Sequence, residues 1–185
     1  PLAEKYYGGI PAGTIPPRIR PEEPPHNAAR TVTLRDRRVR QPSWRRAFLA
    51  PSRVSGAKEH SYPLEVMSQI FGGGATSRLY KSLVIEQKIA LSAGAFYDAD
   101  NLGPSRLVIF VSPRPEIRMD QIEEAVEAEI RKLKQDGVTA DELQRAKTSM
   151  QADAIYARDS MGAGARVLGT ALASGQTIED VESWP

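Results

Sequence analysis

Hydrophobic and polar positions change period several times along the chain. Val32 and Leu34 alternate with arginines over residues 30–35, and Ala47, Phe48 and Leu49 fill an apolar run over 44–50 that Pro51 ends, so both segments read as strands. The period then lengthens. Leu64, Met67, Ile70 and Phe71 recur at helical spacing, with Pro63 tolerated in the first turn and Gly72, Gly73 and Gly74 closing the helix. Thr76 or Ser77 can cap a second helix presenting Leu79 and Leu83. Ile89, Leu91, Ala93 and Ala95 alternate as a strand, and after a turn at Asp98–Pro104 the run Leu107–Val111 is apolar on both faces, which predicts a central strand covered by helices.

The C-terminal third is helical and well punctuated. Asp120 with Glu123, and Thr139 with Glu142, both fit the capping-box pattern, in which the first side chain bonds an amide one turn on and the acid bonds back. Ile122, Val126, Ile130 and Leu133 make one apolar stripe, stopped by Gly137, and Leu143, Ala146, Met150 and Ala154 make the next. A third helix over 161–174 is built from small side chains, among them Gly162, Gly164 and Gly169, and this predicts a helix sandwiched between close neighbours. Gly175 ends it, and Thr177 with Asp180 caps a further helix. Strands that come in pairs between groups of helices predict an α+β fold, a mostly antiparallel sheet with helices packed on one face.

Seven of the 14 prolines lie within residues 1–25. Proline lacks an amide donor and fixes φ, so residues 1–28 read as an extended proline-rich interdomain linker and 29–185 as the domain, cut short at its end. The chain opens at Pro1 without an initiator Met and stops just as a new helix begins, so it reads as a piece of a longer polypeptide.

Composition narrows the chemistry. A chain of 185 residues with 41% hydrophobic positions is long enough to bury a core without staples. It has no cysteine and only two histidines, His26 and His60, which excludes disulfides, thiol catalysis and cysteine-ligated metals. No apolar run approaches the ~20 residues of a membrane span. Residues 1–60 hold 12 of the 25 basic and 5 of the 23 acidic residues, with seven arginines between Arg30 and Arg46. That density would attract phosphates if it lay on one face, but there is no lysine–aromatic interleaving and no reading motif, so nucleic acid is not expected as a partner.

The remaining constellations are weak. Zinc needs three or four converging ligands, whereas His26 and His60 are far apart and neither has a second histidine one turn away. Gly72–Ser77 precedes a helix N-terminus but lacks the lysine and spacing of a phosphate loop, so a tight interhelical turn is the reading. Glu123, Glu124, Glu127 and Glu129 read as a solvated helix face, and Ser77 and Ser92 have no histidine to form a triad.

The block Phe71-Gly72-Gly73-Gly74-Ala75-Thr76-Ser77-Arg78-Leu79-Tyr80, followed by Leu83–Ala93 and the strand pair to Pro113, resembles the C-terminal homologous domain of the pitrilysin/insulinase family of zinc metallopeptidases, bacterial branch. Tyr6-Tyr7-Gly8 to Pro11 resembles the end of that family's preceding domain. The resemblance implies a mitochondrial processing peptidase-like fold in which two homologous domains close around a peptide. The zinc-binding His-x-x-Glu-His motif of the family belongs to the N-terminal domain. It is missing here, so the resemblance implies the non-metal half, with no cofactor of its own, zinc in the N-terminal domain of the parent, and that domain or a paired subunit as partner alongside a peptide substrate. Active members place an Arg and a Tyr, seven residues apart, on this half to hold substrate and the tetrahedral intermediate. The matching positions are Val84 and Leu91, and neither can donate a hydrogen bond, so the resemblance assigns no catalytic residue here. Many relatives are exported, which leaves the compartment open between cytoplasm and periplasm.

Overall fold

The computed structural model of the protein describes residues 1–14, 24, 27–157 and 159–183. The chain divides into two units, Pro1–Thr33 and Leu34–Pro185. The first opens with a short helix, α1 (Leu2–Tyr7), whose residues are all exposed, so the segment begins helical where proline content predicts extended chain.

The second unit holds a three-stranded antiparallel sheet of β1 (Trp44–Ala50), β2 (Ala90–Tyr97) and β3 (Ser105–Pro113) in the order β1-β3-β2. The strand expected at 30–35 does not form. Val32 is 92% and Leu34 80% exposed, because alternation makes a strand only where a neighbouring edge and a covering layer are within reach. β3 is central, as its apolar run predicts, and pairs Trp44 with Val111, Phe48 with Leu107, Ala93 with Val111 and Ala95 with Ile109.

Side chains alternate across the sheet, so Ile109, Val111, Ala93 and Ala95 share one face. That face is covered. Helix α2 (Ser61–Gly72) brings Phe71, the segment after it brings Leu79 and Leu83, and α3 (Met119–Asp136) brings Ile122 and Val126, all at most 1% exposed. Burying each such side chain is worth about 1.5–3 kcal/mol. The expected cover is missing from the opposite face, where Val108 and Phe110 are half-buried and Phe96 and Leu49 are exposed. The sheet is therefore covered by described residues on one side only.

The contact between α2 and β2 dictates glycine. A Cβ on Gly72 would stand 1.9 Å from the Ala95 amide nitrogen, and one on Gly94 would stand 2.5 Å from the Phe110 ring and 3.0 Å from the Gly72 carbonyl oxygen. The chain then turns through Gly74, at φ +97, where an L side chain would be strained. Ser77 does not cap the next helical segment: its hydroxyl donates to the Gly74 carbonyl at 2.7 Å. In place of an ordinary second helix, Tyr80–Glu86 winds as a π-helix, closed by the Gln87 amide bonding the Ser82 carbonyl five residues back at 2.9 Å.

Arg78 fastens this block to the next helix pair. Its guanidinium forks onto Glu142, Nε to Oε1 and Nη2 to Oε2, both at 2.7 Å, and Nη2 also reaches the Gly137 carbonyl at 2.8 Å. Glu142 opens α4 (Ala140–Ala157) and completes the predicted capping box, accepting from the Thr139 amide at 2.9 Å while its own amide donates to Thr139 Oγ1 at 3.2 Å. Arg78 above all holds the Glu142 carboxyl down to about 2 from an ordinary 4.5. α3 starts earlier than predicted. Arg118 takes the cap position and its amide donates to Gln121 Oε1 at 3.1 Å, while Asp120, already inside the helix, accepts from Arg118 Nε at 3.0 Å.

Two helices complete the unit, α5 (Ala163–Ala173) and α6 (Ile178–Glu182), the latter capped by Thr177 and Asp180 as predicted. α5 is not sandwiched. Only Ala163 and Ala171 of it are buried, and a Cβ on Gly164 or Gly169 would meet nothing within 4 Å.

Gly72→Ala is expected to lower unfolding free energy by about 2–3 kcal/mol in urea titrations, because backbone must move, whereas Gly103→Ala, with open space around it, changes it by less than about 1 kcal/mol. Arg78→Ala is expected to cost about 2 kcal/mol at neutral pH. Since the folded Glu142 titrates below its ordinary value, the contribution of the pair is complete above pH 4.5 and lost as pH falls toward 2. Stability curves of wild type and Arg78→Ala should therefore converge across that window.

Candidate functional site

Val84 and Leu91, the positions that the resemblance pairs with substrate-holding residues, sit on two irregular elements among the described residues. Val84 lies in the π-helix, half-buried, and packs against the main core. Leu91 lies at the start of β2, where Ala90 pairs with Pro113 and Ser92 with Ser112, so Leu91 is left unpaired in a bulge and is 49% exposed. Between them Lys88 takes φ 55, in the left-handed region that few non-glycine residues occupy. Backbone irregularity of this kind is common in functional segments, but the side chains at positions 84 and 91 are apolar. Val84 packs against the core, and Leu91 is half exposed to solvent.

Beneath the π-helix lies a polar network that the helical stripe could have revealed. Glu129 follows Val126 by three and precedes Leu133 by four, which puts it on the buried side of α3, and it is 5% exposed instead of lying on a solvated face. Ser82 Oγ donates to Glu129 Oε1 at 2.9 Å, Lys132 Nζ donates to the same oxygen at 2.7 Å, and Gln87 Nε2 donates to Ser82 Oγ at 2.8 Å. The hydroxyl donates its hydrogen bond to the carboxylate, and the same carboxylate raises the Lys132 ammonium above its ordinary value. Ser82 and Glu129 are both buried, so the network fastens the π-helix to α3 out of reach of solvent. Glu123 and Glu127 also have a structural partner: both pair with Arg46 of β1, Glu123 at 2.6 Å, pinning the strand to α3.

A second polar cluster surrounds Arg53. Its guanidinium, 12% exposed, pairs with Glu65 at 2.7 Å and Asp100 at 2.5 Å and lies 5.0 Å from the Tyr62 ring centre. Gln176 Nε2 adds a bond to Asp100 Oδ1 at 3.0 Å. Burial raises the Glu65 carboxyl, against the pull of Arg53. Arg53, Glu65, Asp100, Arg166, Val167 and Asp180 line part of a cavity of about 280 Å³ beside α5 and α6. Its charged groups are mostly paired with one another.

Among the described residues no set fit for zinc is found. His60 is exposed in the short turn Lys58–His60 before α2, and His26 lies outside the described residues. Among the described residues no three His, Asp or Glu side chains converge on a metal position, so the donor set does not fit a zinc ion. No helix among them is long and apolar enough to cross a membrane.

Comparisons with known proteins give the family and the fold. The family model described as the Peptidase M16 inactive domain matches residues 1–150. A protease from Helicobacter pylori shares the fold with a TM-score of 0.84 at 21% identity; the match covers 98% of this chain but only 43% of that one. An inactive peptidase domain from Bordetella parapertussis superposes with a TM-score of 0.64 at 18% identity, covering 74% of this chain and 72% of that one. A peptidase M16 inactive domain from Pseudomonas fluorescens gives 0.59 at 19% identity, covering 77% and 32%. No curated protein sequence matches the chain. With a family model spanning most of its length and a shared α+β fold, the chain belongs to the M16, or pitrilysin/insulinase, peptidase family as an inactive C-terminal domain.

Proposed function

We propose that the chain is the non-metal half of a zinc endopeptidase. It completes the peptide-binding chamber around a metal site carried by an N-terminal homologous domain. Residues 1–28 act as the proline-rich linker to that domain, and 29–185 supply the wall facing it. The observation that carries this reading is the pairing of an M16 backbone with apolar side chains at Val84 and Leu91. A wall of this composition can bind an extended peptide by shape and exclude water, which strengthens electrostatic interactions at the metal. It cannot donate a hydrogen bond to a developing oxyanion from either position.

The same two residues favour a second reading, in which the parent is a scaffold or processing-partner subunit of this fold without catalytic activity. Metal content of the longer polypeptide separates the two. For the leading reading, the purified chain is expected to hold no stoichiometric zinc and to cleave no peptide, while the full-length protein carrying the N-terminal domain holds zinc and cleaves. Hydrolysis by the chain alone would overturn the proposal, and a full-length protein without zinc or activity would establish the scaffold instead.

A further inference from the structure

The backbone ahead of β1 is almost unbonded. Residues 27–43 form no helix or strand, and among the described residues the one backbone–backbone hydrogen bond of this stretch runs from the Val39 amide to the Asp36 carbonyl at 3.0 Å. That bond closes a turn whose two central residues are Arg37 and Arg38. Asp36 holds the turn from its first position, accepting from the Arg38 amide at 2.9 Å, from Arg38 Nε at 3.0 Å and from Nη2 at 2.8 Å. Every residue over 27–41 except Asp36 is exposed, and the Arg38 side chain stays 90% exposed in spite of its pairing.

The sequence sets two basic residues side by side at three places, Arg37-Arg38, Arg45-Arg46 and Arg131-Lys132. Their backbones differ. Arg45 and Arg46 lie in the β1 ladder opposite Phe110 and Ile109, and Arg46 is also paired with Glu123 and Glu127. Arg131 and Lys132 lie inside α3, where Lys132 bonds Glu129. An endoprotease takes its substrate as extended chain several residues long, so a strand or helix must come apart first, whereas an exposed turn yields after the loss of one backbone hydrogen bond. Conformation thus leaves one of three chemically similar pairs open to hydrolysis.

We propose that Arg37-Arg38 is a processing site, cut by an endoprotease that reads paired basic residues. Water adds across the Arg38–Val39 peptide bond, leaving a carboxylate on Arg38 and an ammonium on Val39. The cut falls just past the boundary between the two units at Thr33 and Leu34. All of β1–β3 and α2–α6 lies after it, so residues 39–185 keep the core, the Arg46 and Arg78 ion pairs and the bond from Gln41 Nε2 to the Pro113 carbonyl at 3.0 Å. The proline-rich segment leaves with the other product. Processing at this bond is independent of whether the parent hydrolyses peptide.

The probe is a serine endoprotease specific for paired basic residues, used at low ratio on the 185-residue chain, with products read by intact mass and N-terminal sequencing. The first product is expected to run from Val39 to Pro185 and to keep the circular dichroism and urea midpoint of the uncut chain. Bonds after Arg46 and Lys132 are expected to be cut about 100-fold more slowly or less, although synthetic peptides spanning the three pairs are cut at comparable rates. Arg37→Gln combined with Arg38→Gln should remove the first cut and leave circular dichroism unchanged. In the full-length protein recovered from its own cells, Val39 should appear as an N-terminus. A first cut after Arg46 or Lys132, or resistance of the Arg38–Val39 bond at protease levels that cut the matching peptide, overturns the site. Cutting of that bond in the double variant overturns its recognition as a basic pair, and an uncut polypeptide throughout those cells overturns the processing.

Discussion

Everything in the domain hangs on the packing of β3 against two helices. Ile109 and Val111 lie between the paired strands and beneath Phe71, Ile122 and Val126, and the cluster they form is almost wholly removed from water. This layer fixes where α2 ends, and the end of α2 fixes the rest. Gly72 must touch the backbone of β2 at Ala95, so the chain has to leave the helix through glycines before Arg78 can reach across to Glu142 and position α4. One layer of apolar packing thus determines a turn, an ion pair and the placement of a third helix.

The irregular elements around Val84 and Leu91 are held by the same domain. The π-helix is held from below by Ser82, Gln87 and Glu129, and the bulge at Leu91 by the register on either side of it. Both are supported by contacts inside the domain. The exposed side chain at Leu91 takes no part in holding that backbone shape. That separation of shape from chemistry is what an inactive domain of a peptidase family requires.

Local signals read well wherever a periodic face met a cap. The helix over Leu64–Phe71, the central strand over Leu107–Val111, the Thr139 and Thr177 boxes and the Gly137 stop all arise from spacing and side-chain chemistry within a few residues. The failures have a common origin in what lies beyond the window. Val32 and Leu34 alternate correctly but find no edge to pair with; the small residues of α5 permit a close neighbour without supplying one. Glu129 was legible, since it stands on the apolar stripe of its own helix, but charge masked position. The π-helix left no sequence mark distinct from an ordinary helix, and its tie to α3, from Ser82 to Glu129, spans 47 residues of sequence. The candidate site was legible only as an absence of donors at Val84 and Leu91; the bulge and the half-open sheet around it needed the fold.

The central claim is that this domain shapes a peptidase chamber without contributing to its metal. The most direct measurement is a crystal structure of the full-length protein with zinc located by anomalous scattering. The account predicts that every ligand of the metal lies outside the 185 residues of this sequence. A zinc ion bound by His60, or by any carboxylate of this chain, would contradict it.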